Sequence, residues 1–213
     1  MKKSDKALHL LRALEKIYPE AHCALIYQNP WQLLVATILS AQCTDKRVNI
    51  VTATLFKVLP GPKQMAAASQ DQVEGLIRST GFFRNKAKNL IRCAEQVLTL
   101  HQGRVPADLN ALVALNGVGR KTANVVLGNA YQIPGMVVDT HVKRLARRFG
   151  WTKSDNPVQI EAELSRLIPS SDWTQSGHTL IAHGRVCCKA PTPICSSCPI
   201  IELCPRKGVD KSR

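Results

Sequence analysis

Lys121 stands in the stretch LNGVGRKTANVV, directly after two glycines and Arg120. A neutral lysine amine can attack an electrophilic carbon and form a Schiff base with it. Asp139, ahead of THVKRLARRFG, supplies a carboxylate. It can take a proton from an amine or a water, and its charge can steady a cation developing beside it. The same aspartate is an excellent N-cap for the helix that follows, which would hold it ionised and aimed. Further on, Cys188-x6-Cys195-x2-Cys198-x5-Cys204 places four thiols in one short loop. Four thiolates suffice for a tetrahedral zinc or for one iron–sulfur cluster, and the spacing does not choose between them.

These groups must be carried on helices. Leu8, Leu11, Leu14 and Ile17 mark one face of a first helix, with Ser4 or Asp5 as its cap. Asn29-Pro30 opens WQLLVATILSAQ, which is apolar nearly all round and predicts a buried core helix. Thr44 caps a helix running toward Leu59, and Pro60-Gly61-Pro62 stops it. Ser69-x-x-Gln72 predicts a capping box for a helix ending near Gly81. NKAKNLIRCAEQVLTLHQG is amphipathic, with Gly103 as C-cap, and Pro106 begins a helix to about Leu115. Gly150 closes the basic helix behind Asp139, Asn156-Pro157 opens another, and SDWTQSGHTLIAHGRV is the last. No strand pair emerges. The expected fold class is all-α, with roughly ten helices.

Leu115-Asn116-Gly117-Val118-Gly119 is then a turn between two helices. Leu115 and Val118 can anchor it in a core, while the glycines let its backbone approach another group closely. The unpartnered N–H groups at the start of the next helix, with the helix dipole, suit a DNA phosphate. An ordinary helical corner is the plainer reading of the same pattern.

Composition supports a polyanionic partner. The chain has 213 residues and a formal net charge of +14, from 29 Lys+Arg against 15 Asp+Glu. So basic a protein most often meets nucleic acid. Arg12, Glu15 and Lys16 interrupt the leucine-rich start, which therefore does not read as a signal peptide, and no stretch is long and uncharged enough to span a bilayer. The expected location is cytoplasmic, including the nucleoid of a bacterium. There the eight cysteines are not expected to form disulfides. Cys187 is an extra neighbour of the four-thiol loop, and Cys23, Cys43 and Cys93 fall in helical patterns as small core residues.

LNGVGRKTANVVLGNAY followed by VVDTHVKRLARRFG resembles the helix-hairpin-helix and catalytic region of the endonuclease III family of DNA glycosylase/AP lyases. LSAQCTDKRVN and the cysteine spacing resemble the same family, and the likeness spans about residues 5 to 206. It implies a two-lobed fold with a DNA cleft between the lobes. One lobe, residues 24–134, carries the hairpin; residues 1–23 and 135–213 form the other, with an iron–sulfur loop at 188–204. The implied activity is removal of oxidised pyrimidines such as thymine glycol, then β-elimination at the abasic site. The resemblance places the nucleophile on Lys121 and the catalytic carboxylate on Asp139. It assigns [4Fe–4S] to Cys188, Cys195, Cys198 and Cys204.

Chemistry on a base inside a duplex requires flipping it out. Gln42 matches the family's residue that fills the gap, and Phe82 lies in a loop supplying a second wedge. Ser40 and Asp45 match pocket-lining residues. Leu115, Gly117, Val118, Gly119, Arg120, His141, Arg144, Arg185 and Lys189 complete the expected DNA contacts, with Arg206 and Lys207 as further loop cations. Arg120, Lys143 and Arg144 would depress the Lys121 pKa if they lie close to it. The expected partner is double-stranded DNA with damaged bases or abasic sites, met by a monomer and with no membrane involved. Three departures stand out. Asn116 replaces the family's proline, which predicts a softer hairpin. Val113 replaces an acid, and the cluster loop has few cations between its first two cysteines. They leave a catalytically weak paralogue that binds damage or abasic sites as the rival reading. A mismatch glycosylase is a second rival, and Lys121 argues against it.

Overall fold

The computed structural model describes residues 2–213. Its described residues form helices and loops, without strands. They divide into two compact units, one of Cys23–Ile133 and one joining residues up to His22 to Pro134–Arg213. The first helix, α1 (Lys3–Ile17), belongs to the discontinuous unit. Its N-cap is Lys2, not Ser4 or Asp5, which lie inside the first turn. Asp5 instead accepts the Lys2 N–H on its carboxylate, at 3.2 Å.

The continuous unit holds α2 (Pro30–Leu39), α3 (Asp45–Val58), α4 (Pro62–Ala67), α5 (Gln70–Ile77), α6 (Phe83–His101), α7 (Leu109–Val113) and α8 (Arg120–Ala130). The Asn29 side chain accepts from the Gln32 N–H, with Pro30 in the first turn. From Trp31 to Leu39 every residue of α2 is buried, so α2 is the centre of this core, packed on α3, α6 and α8. Thr44 and Ser69 cap α3 and α5 through their hydroxyls. Pro62 does more than stop α3: it occupies the first turn of α4, which the sequence reading passed over. α5 ends at Ile77, and a single 3₁₀ turn, Arg78–Thr80, leads to Gly81. Pro106 does not start α7. Asp108 caps it two residues later, and it has only five residues. Cys93 is a core residue of α6, whereas Cys23 and Cys43 lie in loops against the core.

The discontinuous unit adds α9 (Thr140–Arg148), α10 (Pro157–Leu167) and α11 (Trp173–Val186) to α1. α1 packs on α10 and α11, and α9 on the same pair. Ala7, Leu10, Leu11 and Leu14 meet Val142, Leu145, Ile160, Leu164 and Leu180 in one core. The crossing of α9 and α11 is close. A Cβ at Gly184 would stand 2.9 Å from His141 Nδ1 and 3.1 Å from an Arg144 nitrogen. Past α11 the chain turns into the cysteine loop. No described helix is long and apolar enough to cross a membrane.

Candidate active site

Gly117 has φ 76°, in the left-handed region, and a Cβ there would press on Asn89 Cβ of α6 at 2.9 Å. Glycine is therefore required twice over, by backbone and by space. Gly119 differs. It caps α8 with φ −89°, and nothing lies within 4 Å of where its Cβ would be. The space is open at the N-terminal end of α8, where Gly119 is the cap. Leu115 and Val118 are buried, so the hairpin has backbone rather than their side chains to offer a ligand. Asn116 also brings a contact of its own to the hairpin. Its N–H, which proline would lack, donates to Gln96 Oε1 on α6 at 2.7 Å.

Arg120 and Lys121 open α8 and are exposed. Cys23 lies near enough to feel the charges of both Lys121 and Asp45, though burial dominates and pushes its thiol pKa up. Asp45 is the first residue of α3, and Ser40 donates its hydroxyl to the Thr37 carbonyl at 2.8 Å. Four exposed non-glycine residues of this unit adopt the left-handed region: Gln102 and Gln132, which follow α6 and α8, and Gln42 with φ 53° and Phe82 with φ 47°. Gln42 and Phe82 are the two that were expected to meet DNA. They sit on the loops after α2 and before α6. Val113, where an acid was expected, is exposed at the end of α7.

In the discontinuous unit Asp139 caps α9, accepting the Val142 N–H at 2.8 Å. His141 Nδ1 faces an Arg144 nitrogen at 3.1 Å. Burial lowers the His141 pKa, the Asp139 charge opposes that, and Arg144 adds to it. Arg144 is half-buried and turned inward: it donates to the Cys188 and Gly184 carbonyls. Lys143 is held by Asp155, at 3.0 Å. Arg185 and Lys189 are exposed. A groove of about 820 Å³ is lined by Lys143, Arg144, Arg147, Arg148, Lys153 and Lys207.

Cys188, Cys195, Cys198 and Cys204 line one small cavity, together with Cys187, His183 and Arg148. Burial pushes the Cys188 and Cys204 thiols up, while Arg148 and Arg144 pull Cys188 the other way. Arg148, itself buried, donates to the sulfur of Cys188 and to the Cys188, Lys189 and Pro191 carbonyls. His183 stands 3.9 Å from the Cys198 sulfur and 3.0 Å from the Tyr18 hydroxyl. The tightest donor group is His183, Cys187 and Cys198, with ligand atoms within 4.8 Å of one another. Soft donors converging on one cavity fit a metal cofactor. Sequence reading missed Lys86, Gln96, Arg148 and His183, whose contacts are made by residues distant in the chain.

Residues 35–170 match the HhH-GPD superfamily of base excision DNA repair proteins. Endonuclease III of Synechocystis sp. is 50% identical over 204 residues, covering 95% of this chain and 93% of its own length. The chain belongs to the endonuclease III family. Endonuclease III of Bacillus subtilis is 43% identical over 204 residues, with 94% and 93% covered. A solved structure of a trapped endonuclease III–DNA covalent intermediate superposes with a TM-score of 0.92 at 40% identity, covering 97% of each chain. In this family frame the hairpin before α8 is a helix-hairpin-helix, and Lys121 lies in the first turn behind it.

Proposed function

We propose that this endonuclease III family member is a bifunctional DNA glycosylase and AP lyase acting on oxidised pyrimidines in double-stranded DNA. The observation that carries the reading is an exposed lysine, Lys121, in the first turn of the helix behind the hairpin. The hairpin backbone and the start of α8 hold a phosphate. Gln42 and Phe82 fill the space that the extruded nucleotide leaves. Ser40 and Asp45 line the pocket that receives it.

In its neutral form the Lys121 amine attacks C1′ of the sugar. The C1′–N bond breaks, and its electron pair leaves with the base, which takes up a proton. Asp139 accepts the proton lost from the attacking amine, and its charge steadies the cationic sugar. Sugar-ring opening gives an iminium linking C1′ to Lys121. Loss of a C2′ proton then expels the 3′ phosphate oxygen, and water hydrolyses the iminium to free the lysine.

Cys188, Cys195, Cys198 and Cys204 would hold a [4Fe–4S] cluster. When bound it would staple a proline-rich chain end that has little core of its own. Arg148 keeps the loop in register, and Lys189 presents a cation from it to phosphate. The substrate places the protein with the chromosome in the cytoplasm.

The test is borohydride trapping on duplex DNA with one thymine glycol. A covalent adduct with the native protein, lost in Lys121→Ala, is the expected result. Tight binding without any adduct from the native protein would overturn the reading.

A further inference from the structure

Gln42 and Phe82 share an unusual backbone. Both are non-glycine residues with positive φ, 53° and 47°, and both are exposed, Phe82 by 64%. Such conformations persist only where the surroundings over-determine them. The loops that carry them leave from the ends of two helical elements. One follows Leu39, the last residue of α2, and the other follows Thr80, the last of the 3₁₀ turn. The carbonyls of both residues accept from one donor. Lys86 Nζ donates to Leu39 O at 2.8 Å and to Thr80 O at 2.9 Å.

Lys86 is 5% exposed, on the first turn of α6. Among the described residues no carboxylate pairs with its ammonium. A buried cation without a counter-charge is unfavourable where an apolar side chain would pack as well. Burial accordingly lowers its pKa. What the ammonium does that an apolar group could not is join two carbonyls of separate segments. Around it each loop is short and internally bonded. Cys43 N–H donates to Ser40 O on one side, and the backbone N–H of Lys86 donates to Phe82 O at 3.1 Å on the other. Little slack remains between the ammonium and either exposed residue.

We propose that Lys86 is a positioning residue that fixes the Gln42 and Phe82 loops against each other, so that both side chains enter the duplex as one wedge. The inference rests on the function proposed above. It assigns Lys86 to base extrusion and not to the chemistry at C1′. A single strand needs no extrusion, so its cleavage depends little on Lys86.

The experiment is a double-mutant cycle on the cluster-loaded protein, with Lys86→Met, Phe82→Ala and the pair together. Two rates are taken under single turnover: thymine glycol excision from a duplex, and scission of a single-stranded abasic oligonucleotide. Loss of an intercalating ring costs about tenfold on the duplex, and K86M is expected to cost a similar factor there. On the single strand K86M is expected to change the rate less than about twofold, and Phe82→Ala is expected to add less than about twofold to K86M on the duplex, because coupled residues do not add. Equal losses on both substrates, or fully multiplying losses on the duplex, would overturn the proposal. If K86M does not fold, Lys86→Gln, which keeps two N–H donors, takes its place in the cycle. A native protein inactive on thymine glycol refutes the proposed function instead. The same cycle is then read from affinity for a duplex with a tetrahydrofuran abasic analogue, where additivity refutes the wedge.

Discussion

Gln96 clasps the hairpin, and cutting that clasp has a calculable effect. In Gln96→Ala the Asn116 N–H loses its 2.7 Å acceptor, whereas the Gln96 contact to Ala114 O, at 3.5 Å, is too long to matter much. One neutral hydrogen bond is worth about 0.5–1.5 kcal/mol net, and the half-buried amide can partly recover with water, so about 1 kcal/mol is expected. For a protein of this size that is a fall of about 2–4 °C in Tm. If the hairpin must be ordered to bind DNA, the same 1 kcal/mol weakens affinity about fivefold. Asn116→Pro isolates the bond, since proline brings no N–H. In that background Gln96→Ala should cost almost nothing, leaving a coupling of about 1 kcal/mol. Urea unfolding and fluorescence anisotropy on a duplex abasic analogue, applied to all four proteins, measure it. Additivity within about 0.3 kcal/mol would show that the clasp is not what stiffens the hairpin.

The two hairpin glycines separate stability from binding. Gly117→Ala, with φ 76° and a 2.9 Å contact to Asn89, should destabilise by about 1–3 kcal/mol in thermal melts. Gly119→Ala, with open space around it, should leave the melt within about 0.5 kcal/mol and show its effect in DNA affinity. Asp139→Asn keeps a good cap and removes the charge, so the Tm holds while excision collapses; Asp139→Ala should lose about 1 kcal/mol of stability as well. Equal melting of the two Asp139 variants would discount the cap. Lys189→Ala should lower the slope of log affinity against log salt by about one, measured by titration at several salt concentrations.

What the sequence discloses is what is encoded within a few residues. Asn29, Thr44, Ser69, Asp139 and Asn156 cap helices as their type and position indicate, because a cap bonds to N–H groups two or three residues away. The burial of α2 is legible for the same reason, since apolar residues on every face leave no side for water. Short elements are harder. α4 and α7 have six and five residues, too few for a period to register, and Asp108 rather than Pro106 marks where α7 begins. Long-range polar contacts are invisible. Nothing local separates Lys86, buried against two carbonyls, from the exposed Lys88 two residues on. Arg148 likewise sits in an arginine-rich run, and only the fold turns it toward the cysteine loop. The bond from the Asn116 N–H to Gln96 is hidden in the same way, because its partner lies twenty residues back on α6.

The membership of α1 sets an order of assembly. Its apolar face, Ala7, Leu10, Leu11 and Leu14, is buried against helices drawn from residues 142–180. A ribosome releases α1 first, yet that face has no partner until most of the chain has been made. Cys23–Ile133 has a core of its own and can close while the leading helix waits. The nascent protein thus carries an exposed leucine stripe through the middle of its synthesis, until α9, α10 and α11 emerge to cover it.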